Sequence, residues 1–331
     1  MSPEEARIGM LTLFGREPSE TEHKDLQRMT LPELRARAFA SRSFAQHVLL
    51  GYFSADPNKN ILHNTTRFRT YLDESGPAEI ARVRGIIDQL PRAEDGSGHD
   101  YVGFHAKRME ELLLFLVRRN QHTPIHSILD VGLSPFIKAY KQVIPQVQVT
   151  LADIWLHPAE KLSDFGIDSF VRTDLNKTGV SREHGGAGDG RYDAIVFTEV
   201  IEHLLVDPVE AIADFLSMLN PGGFLFISTP NYFSYGAVLK ILEKTNPQPR
   251  YARKLGNDDT HYHLREYSLK EMLEAADQCG AQTLFFALSD CWDRNHVGDE
   301  RSARLPIALR SNLVLVLGNA APGTGKAGAA P

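Results

Sequence analysis

Between residues 108 and 318, apolar runs of six to eight residues alternate with stretches of helical character. No other feature of the chain constrains its fold as much. The runs are SILDVG (127–132), QVTLADIW (148–155), SFVRTD (169–174), DAIVFTE (193–199), GFLFISTP (223–230), TLFFALSD (283–290) and NLVLVLG (312–318). Helical segments fall around 135–142, 208–219 and 268–279, and RMEELLLFLVRRN, a helix with a broad apolar face, precedes the first run. Strands alternating with helices predict a parallel α/β sheet covered on both faces. No clear helix joins the last two runs, which predicts an antiparallel final strand.

The first hundred residues have a different texture, rich in helix formers and poor in β-branched runs. LPELRARAFASRSFAQHVLL (31–50) puts Leu31, Leu34, Ala38 and Phe39 on one helical face and turns Arg35 and Arg37 elsewhere. Thr30, with Glu33 three residues on, is a helix start. AEDGSGHD (93–100) reads as a linker. The expected organisation is a helical region over 1–98, an α/β domain over 99–318 and a disordered tail over 319–331, where almost no large apolar side chain remains. No run approaches the ~20 apolar residues of a membrane span, and the acidic start MSPEEARIGM is unlike a signal peptide. Two cysteines, Cys279 and Cys291, suit a reducing compartment, so a cytoplasmic location is expected. A net charge of −6 disfavours non-specific nucleic-acid binding. Whether the chain forms a homo-oligomer stays open.

The chemistry-bearing residues sit where the strands end. The first strand closes in Asp130-Val-Gly132-Leu-Ser134-Pro135-Phe136. Glycine permits a close backbone approach and a turn that other residues resist. A carboxylate at Asp130 would repel a pyrophosphate but suits a cofactor carrying an amino group and a sulfonium. Asp153 ends the second strand roughly 20 residues further on, where an acid can accept ribose hydroxyls. Asp174 and Leu175 end the third, where a carboxylate can meet an adenine amino group.

With these acids in order, residues 105–290 resemble a class I S-adenosylmethionine-dependent methyltransferase. ILDVGLSPF is similar to the family's glycine-rich first motif, YDAIVFTEVIEHL to its fourth-strand motif and LNPGGFLFISTPN to its fifth; HLREYSLKEMLEAADQCGA resembles the segment that follows. The resemblance implies a Rossmann-like seven-stranded sheet with helices on both faces, preceded here by the small helical region. It implies that Asp130, Gly132 and Ser134 hold the methionine end of S-adenosylmethionine, Asp153 its ribose, and Asp174 and Leu175 its adenine. The family's later glycines are Ser134 and Phe136 here, and Pro135 removes one N–H from the loop.

A hydroxyl acceptor needs a general base or a metal ion to become nucleophilic. If a helical turn starts after the fourth strand, Glu199, Glu202 and His203 share one face. Two carboxylates there repel unless a cation sits among them. His263 follows later, with His261 nearby. This E-x-x-E-H plus H-x-x-E pattern is similar to that of small-RNA 2′-O-methyltransferases, and ubiquinone-pathway O-methyltransferases have a similar E-x-x-E-H element. The resemblance implies a divalent ion, Mg or Mn, on Glu199, Glu202, His203 and His263. The other reading makes His203 a base or orienting group without metal, beside Glu202 and Glu199. Asn231 and Tyr232 are expected near the acceptor. His105 and Arg108, on the helix before the first strand, reach the cofactor's carboxylate on one reading and occupy a solvated helix face on the other; His47, His63 and His184 are expected on the surface or in packing.

Residues 13–44 resemble a small helical module found beside enzymes of bacterial surface-glycan clusters, which implies a sugar hydroxyl in a glycan or glycolipid precursor as acceptor. A small aromatic or quinone-like acceptor is the alternative, an RNA ribose ranks below both, and a non-catalytic scaffold that keeps the fold is the reading from another class.

Overall fold

The computed structural model describes residues 2–14, 16–39, 41, 75–92, 101–177, 179–180, 191–248, 263–289 and 309–319. The 93–100 linker, His47, His63, His184, His261 and the tail beyond Asn319 lie outside them. So does the continuation of the 31–50 helix.

Three helices come first: α1 (Pro3–Phe14), α2 (Glu20–Leu26) and α3 (Leu31–Phe39). Ser19 and Glu22 cap α2 reciprocally. Thr30 donates from both its N–H and its hydroxyl to Glu33 at the start of α3, as the sequence predicts. Ala6, Met10, Leu26 and Leu34 close a small core among the three helices. Next come α4 (Pro77–Asp88) and α5 (Tyr101–His122), the latter starting seven residues before the apolar run that predicts it. Val83 and Ile87 of α4 share a core with α5 and the sheet, and Arg118 on α5 pairs with Glu79 on α4 at 2.9 Å. A boundary at 98 therefore cuts between two helices that pack on one core: composition changes at the linker, but burial does not follow it.

Seven strands follow, β1 (Ser127–Val131), β2 (Gln148–Asp153), β3 (Ser169–Arg172), β4 (Tyr192–Thr198), β5 (Leu219–Pro230), β6 (Ala281–Ser289) and β7 (Asn312–Asn319). Their order is β3-β2-β1-β4-β5-β7-β6. β7 runs antiparallel to both neighbours, so the expected antiparallel last strand is inserted between β5 and β6. Between the strands lie α6 (Ile137–Val143), α7 (Ala159–Asp164), α8 (Pro208–Leu216), α9 (Tyr235–Leu242) and α10 (Leu269–Gln278). Strand residues alternate between two cores: Ile128, Val196, Phe226 and Val316 face α4, α5 and α6; Leu129, Ile195, Leu225 and Leu315 face α8 and α10. This period of two, on strands apolar throughout, is what a sheet buried on both faces requires. Gly223, within β5, would place a side chain 2.9 Å from the carbonyl oxygens of Asn220 and Tyr192, so that approach needs glycine. The strand order reverses between β1 and β4, and in such sheets the crevice beyond the carboxyl ends at that point receives the ligand.

Candidate active site

Beyond β1 the chain turns at Gly132, whose φ of +88° is the left-handed conformation that glycine adopts without strain. Its N–H donates to Ala152 O at 2.9 Å, and the Leu133 N–H donates to Asp153 Oδ2 at 2.9 Å. The turn is thus fastened to the end of β2. Asp153 also accepts from the Trp155 N–H at 3.0 Å through Oδ1, and His157 Nε2 lies 3.1 Å from its Oδ2. Trp155 itself is half exposed beside this carboxylate. Ser134 and Phe136 lead into α6, with Phe136 fully buried, so the family's third glycine is replaced here by a core residue. Asp174 and Leu175 form the turn after β3, where Asp174 accepts from the Asn176 N–H and pairs with Lys177.

Asp130 is buried and accepts from the Tyr140 hydroxyl at 3.1 Å. Burial pushes its carboxyl up to about 7, while the Tyr140 hydrogen bond and the Arg108 charge pull it back. Arg108 is only 5% exposed, not on a solvated face. From Arg108 to Val117 every residue of α5 is buried, so a charge there is enclosed and needs a partner. That partner is Glu199: Arg108 Nη1 stands 3.0 Å from Glu199 Oε2, an ion pair without the angle of a hydrogen bond. Arg108 Nε also has no hydrogen-bond partner. His105 stacks against Tyr101 on the same helix, ring centroids 4.4 Å apart.

Glu199 consequently leaves the set expected to share one face. The helical turn after β4 is a short 3₁₀ turn, Ile201–His203, and Glu199 precedes it with φ +55°. Its side chain points to Arg108, Ser228 and Asn312. The other three expected ligands do converge. Single ligand atoms of Glu202, His203 and His263 all lie within 4.8 Å of one another, and the two imidazole rings meet edge to face at 5.0 Å. Glu202 is fully buried and accepts from the Thr229 hydroxyl at 2.9 Å through Oε2, while its Oε1 has no hydrogen-bond partner. Burial pushes this carboxyl up to about 7 as well. His263 Nδ1 lies 3.0 Å from Glu266 Oε1. The Leu264 N–H donates to Glu202 O at 2.7 Å, which brings the later histidine back to the β4 turn.

Asn231 is buried after β5, its side-chain amide donating to Arg310 O and accepting from the Phe233 N–H; it shapes the loop rather than lining an acceptor pocket. Tyr232 stacks on Phe233, which is half exposed. Sequence reasoning missed Tyr140, His157, Ser228, Thr229 and Asn312. Only the enclosed charge in α5 could have signalled Arg108's burial.

The family model described as a methyltransferase domain matches residues 101–283, more than half of the chain. A ubiquinone biosynthesis O-methyltransferase of Marinobacter nauticus is 32% identical over 209 residues, 58% of this chain and 81% of that protein. Its namesake from Vibrio parahaemolyticus is 26% identical over 153 residues, 46% of this chain and 61% of its own, so the chain spans about three fifths of that relative. Among solved structures, the Burkholderia thailandensis 1,6-didemethyltoxoflavin-N1-methyltransferase superposes with a TM-score of 0.43 at 18% identity, covering 75% and 92% of the two chains; so distant a superposition carries no argument about the site. Among the described residues no helix is long and apolar enough to cross a membrane. By its family match and by its strand order, this chain belongs to the S-adenosylmethionine-dependent methyltransferases.

Proposed function

We propose that the protein transfers a methyl group from S-adenosylmethionine to a hydroxyl of a small acceptor. The observation that carries this reading is the convergence of Glu202, His203 and His263 at the carboxyl edge, next to the acids that suit the cofactor. The cofactor supplies an electrophilic methyl on a sulfonium; the chain's task is to orient the acceptor in line and to take up its proton.

The donors present suit that cofactor. Asp130 favours its ammonium end. The Arg108 Nε–H, which has no hydrogen-bond partner, suits its carboxylate. Asp153 Oδ2 already has two partners, so Oδ1, with one, has a lone pair left for a ribose hydroxyl. The half-exposed face of Trp155 suits the apolar side of the adenosine, and Asp174 with Leu175 its adenine edge. Ser134 remains the residue of this loop nearest in role to the methionine end.

We further read Glu202, His203 and His263 as a divalent-ion site. A buried carboxyl oxygen that has no hydrogen bond, with His203 Nε2 3.9 Å away, favours a cation. The Glu266 contact at His263 Nδ1 leaves Nε2 as the ligand atom. Bonds of about 2.1 Å place ligand atoms roughly 3–3.5 Å apart, so these side chains would close in on an ion. Mixed Glu and His donors suit Mn, Fe, Co or Zn better than Mg. Such an ion lowers the pKa of a coordinated hydroxyl. The second reading, His203 as a general base without metal, draws on the same cluster.

The names of the relatives and the exposed Phe233 and Leu205 at this edge support a small aromatic or quinone-like acceptor. A sugar hydroxyl of a glycan precursor rests on the resemblance of residues 13–44. The two cysteines suit the cytoplasm. The deciding experiment gives the purified chain labelled S-adenosylmethionine with phenolic and sugar acceptors, with and without chelator. Chelator-sensitive labelling of one class names acceptor and metal together. Cofactor binding without transfer to any hydroxyl would reject O-methylation and leave the scaffold reading.

A further inference from the structure

Asn312 opens β7 and is completely buried. Its Nδ2 donates to Glu199 Oε1 at 2.7 Å. The Ser228 hydroxyl, from β5, donates to the same oxygen at 2.8 Å. The Glu199 N–H is held by Ser228 O at 2.8 Å, and its backbone stands at φ +55°. A non-glycine residue keeps that conformation only where its surroundings fix it. Two donors on Oε1 fix the side chain too, and leave Oε2 turned on Arg108 Nη1 at 3.0 Å.

We propose that Asn312 and Ser228 are positioning residues for cofactor binding. Through Glu199 they set the Arg108 guanidinium where it meets the carboxylate of S-adenosylmethionine. The proposal rests on the reading of Arg108 given above. Released from Glu199, the guanidinium has two other carboxyl groups within its field, Asp130 and Glu202, and would turn toward them instead of the cofactor. A neutral donor is what position 312 requires: a carboxylate there would repel Glu199. The device joins β4, β5 and β7, so the final strand of the sheet reaches the cofactor although none of its residues lies in a cofactor motif.

The test is a double-mutant cycle on the full chain, with S-adenosylhomocysteine as the calorimetric probe and ligand-free melting as the control. Arg108→Lys keeps the charge and loses the Nε–H; it should weaken binding by about tenfold, the loss of one hydrogen bond between charged partners. Asn312→Ala should weaken it by roughly fivefold, raising the KM for S-adenosylmethionine while kcat stays within about threefold. The double variant should bind no more weakly than Arg108→Lys alone. Multiplied losses in the double variant would overturn the proposal, as would a lower melting temperature in Asn312→Ala with unchanged affinity. Wild-type affinity in Arg108→Lys would instead reject the Arg108 reading, and this one with it. If Asn312→Ala does not fold, Ser228→Ala carries the same cycle.

Discussion

On the β1–β3 side of the switch point, acids are held mostly from nearby in the chain. Asp174 is tied to Asn176 and Lys177, Asp153 to Trp155 and His157, and Asp130 to Tyr140 in the next helix. On the β4–β7 side the partners are distant: Glu199 meets Arg108 from α5 and Asn312 from β7, and Glu202 meets Thr229 and the His263 segment. The first arrangement binds a ligand of fixed shape with residues that one strand end supplies. The second assembles reactive groups from five elements, so its geometry depends on the whole sheet. A substitution on the first side should therefore act on affinity; on the second, one at Glu202, His203 or His263 should act on turnover, and one in the Glu199–Arg108 assembly on affinity through distant partners.

The largest effect should come from the second side. Glu202→Ala and His263→Ala are each expected to lower kcat by at least about 100-fold, the scale of a lost acid–base or metal function. Both should leave S-adenosylhomocysteine affinity within about threefold by calorimetry. Excess chelator should reproduce the loss, and Mn or Mg should restore it. Glu199→Ala should keep metal stoichiometry but disturb cofactor binding, because that side chain serves Arg108. Full activity in chelator with only His203→Ala impaired would remove the metal and make the histidine a base.

On the first side, Asp153→Ala should weaken S-adenosylhomocysteine binding by one to two orders of magnitude, about 1.5–3 kcal/mol for hydrogen bonds to a charged acceptor. The carboxylate also fastens the Leu133 N–H, so the loss should include a slacker β1 turn, visible as faster amide exchange there. Unchanged affinity would break the comparison at its simplest point.

A third effect crosses both sides. An acid whose folded pKa exceeds its ordinary value holds its proton more tightly when folded, so stability is lost as pH rises between the two values. For Asp130 the window runs from 3.8 to about 7, and for Glu202 from 4.5 to about 7. The ligand-free protein should lose stability across this range, by up to about 4 kcal/mol from Asp130 alone. Asp130→Asn and Glu202→Gln should each remove part of the slope in chemical-denaturation series. Asp193 and Glu271, held below their ordinary values, act with the opposite sign, losing stability as pH falls below 3.8 and 4.5 respectively. A flat profile in the wild type would mean that neither carboxyl is held protonated.

The same contrast explains what was legible in the sequence. Asp130, Gly132, Asp153 and Asp174 stand at or just beyond strand ends that the apolar pattern marks, so position alone makes them cofactor candidates, and the same pattern gives the order of elements. Glu199 was misplaced because helical spacing was extended over a residue that turns at φ +55° before a three-residue turn. For Arg108 the sequence leaves a cofactor-facing and a solvated reading open, because Lys107, Glu110 and Glu111 beside it hide that the helix is buried from here to Val117. Asn312 and Ser228 carry no local signal: an amide at the start of one strand and a hydroxyl within another acquire meaning only when β7 inserts beside β5.

The smallest effect should come from His157, which tests how local the first side is. Its ring touches Asp153 Oδ2 at 3.1 Å and packs edge-on against Phe170. Removing it takes one of two partners from that oxygen while the Leu133 N–H still holds it. The carboxylate keeps its place, and Oδ1, the atom with a lone pair to spare, is not touched. His157→Ala should therefore weaken S-adenosylhomocysteine binding by only about threefold, near the low end for one hydrogen bond, with kcat unchanged. A loss as large as that of Asp153→Ala would mean that the imidazole orients the carboxylate as Glu199 orients Arg108. Both sides of the switch point would then depend on a second layer of residues, and the division between a locally held and a distantly held site would fall.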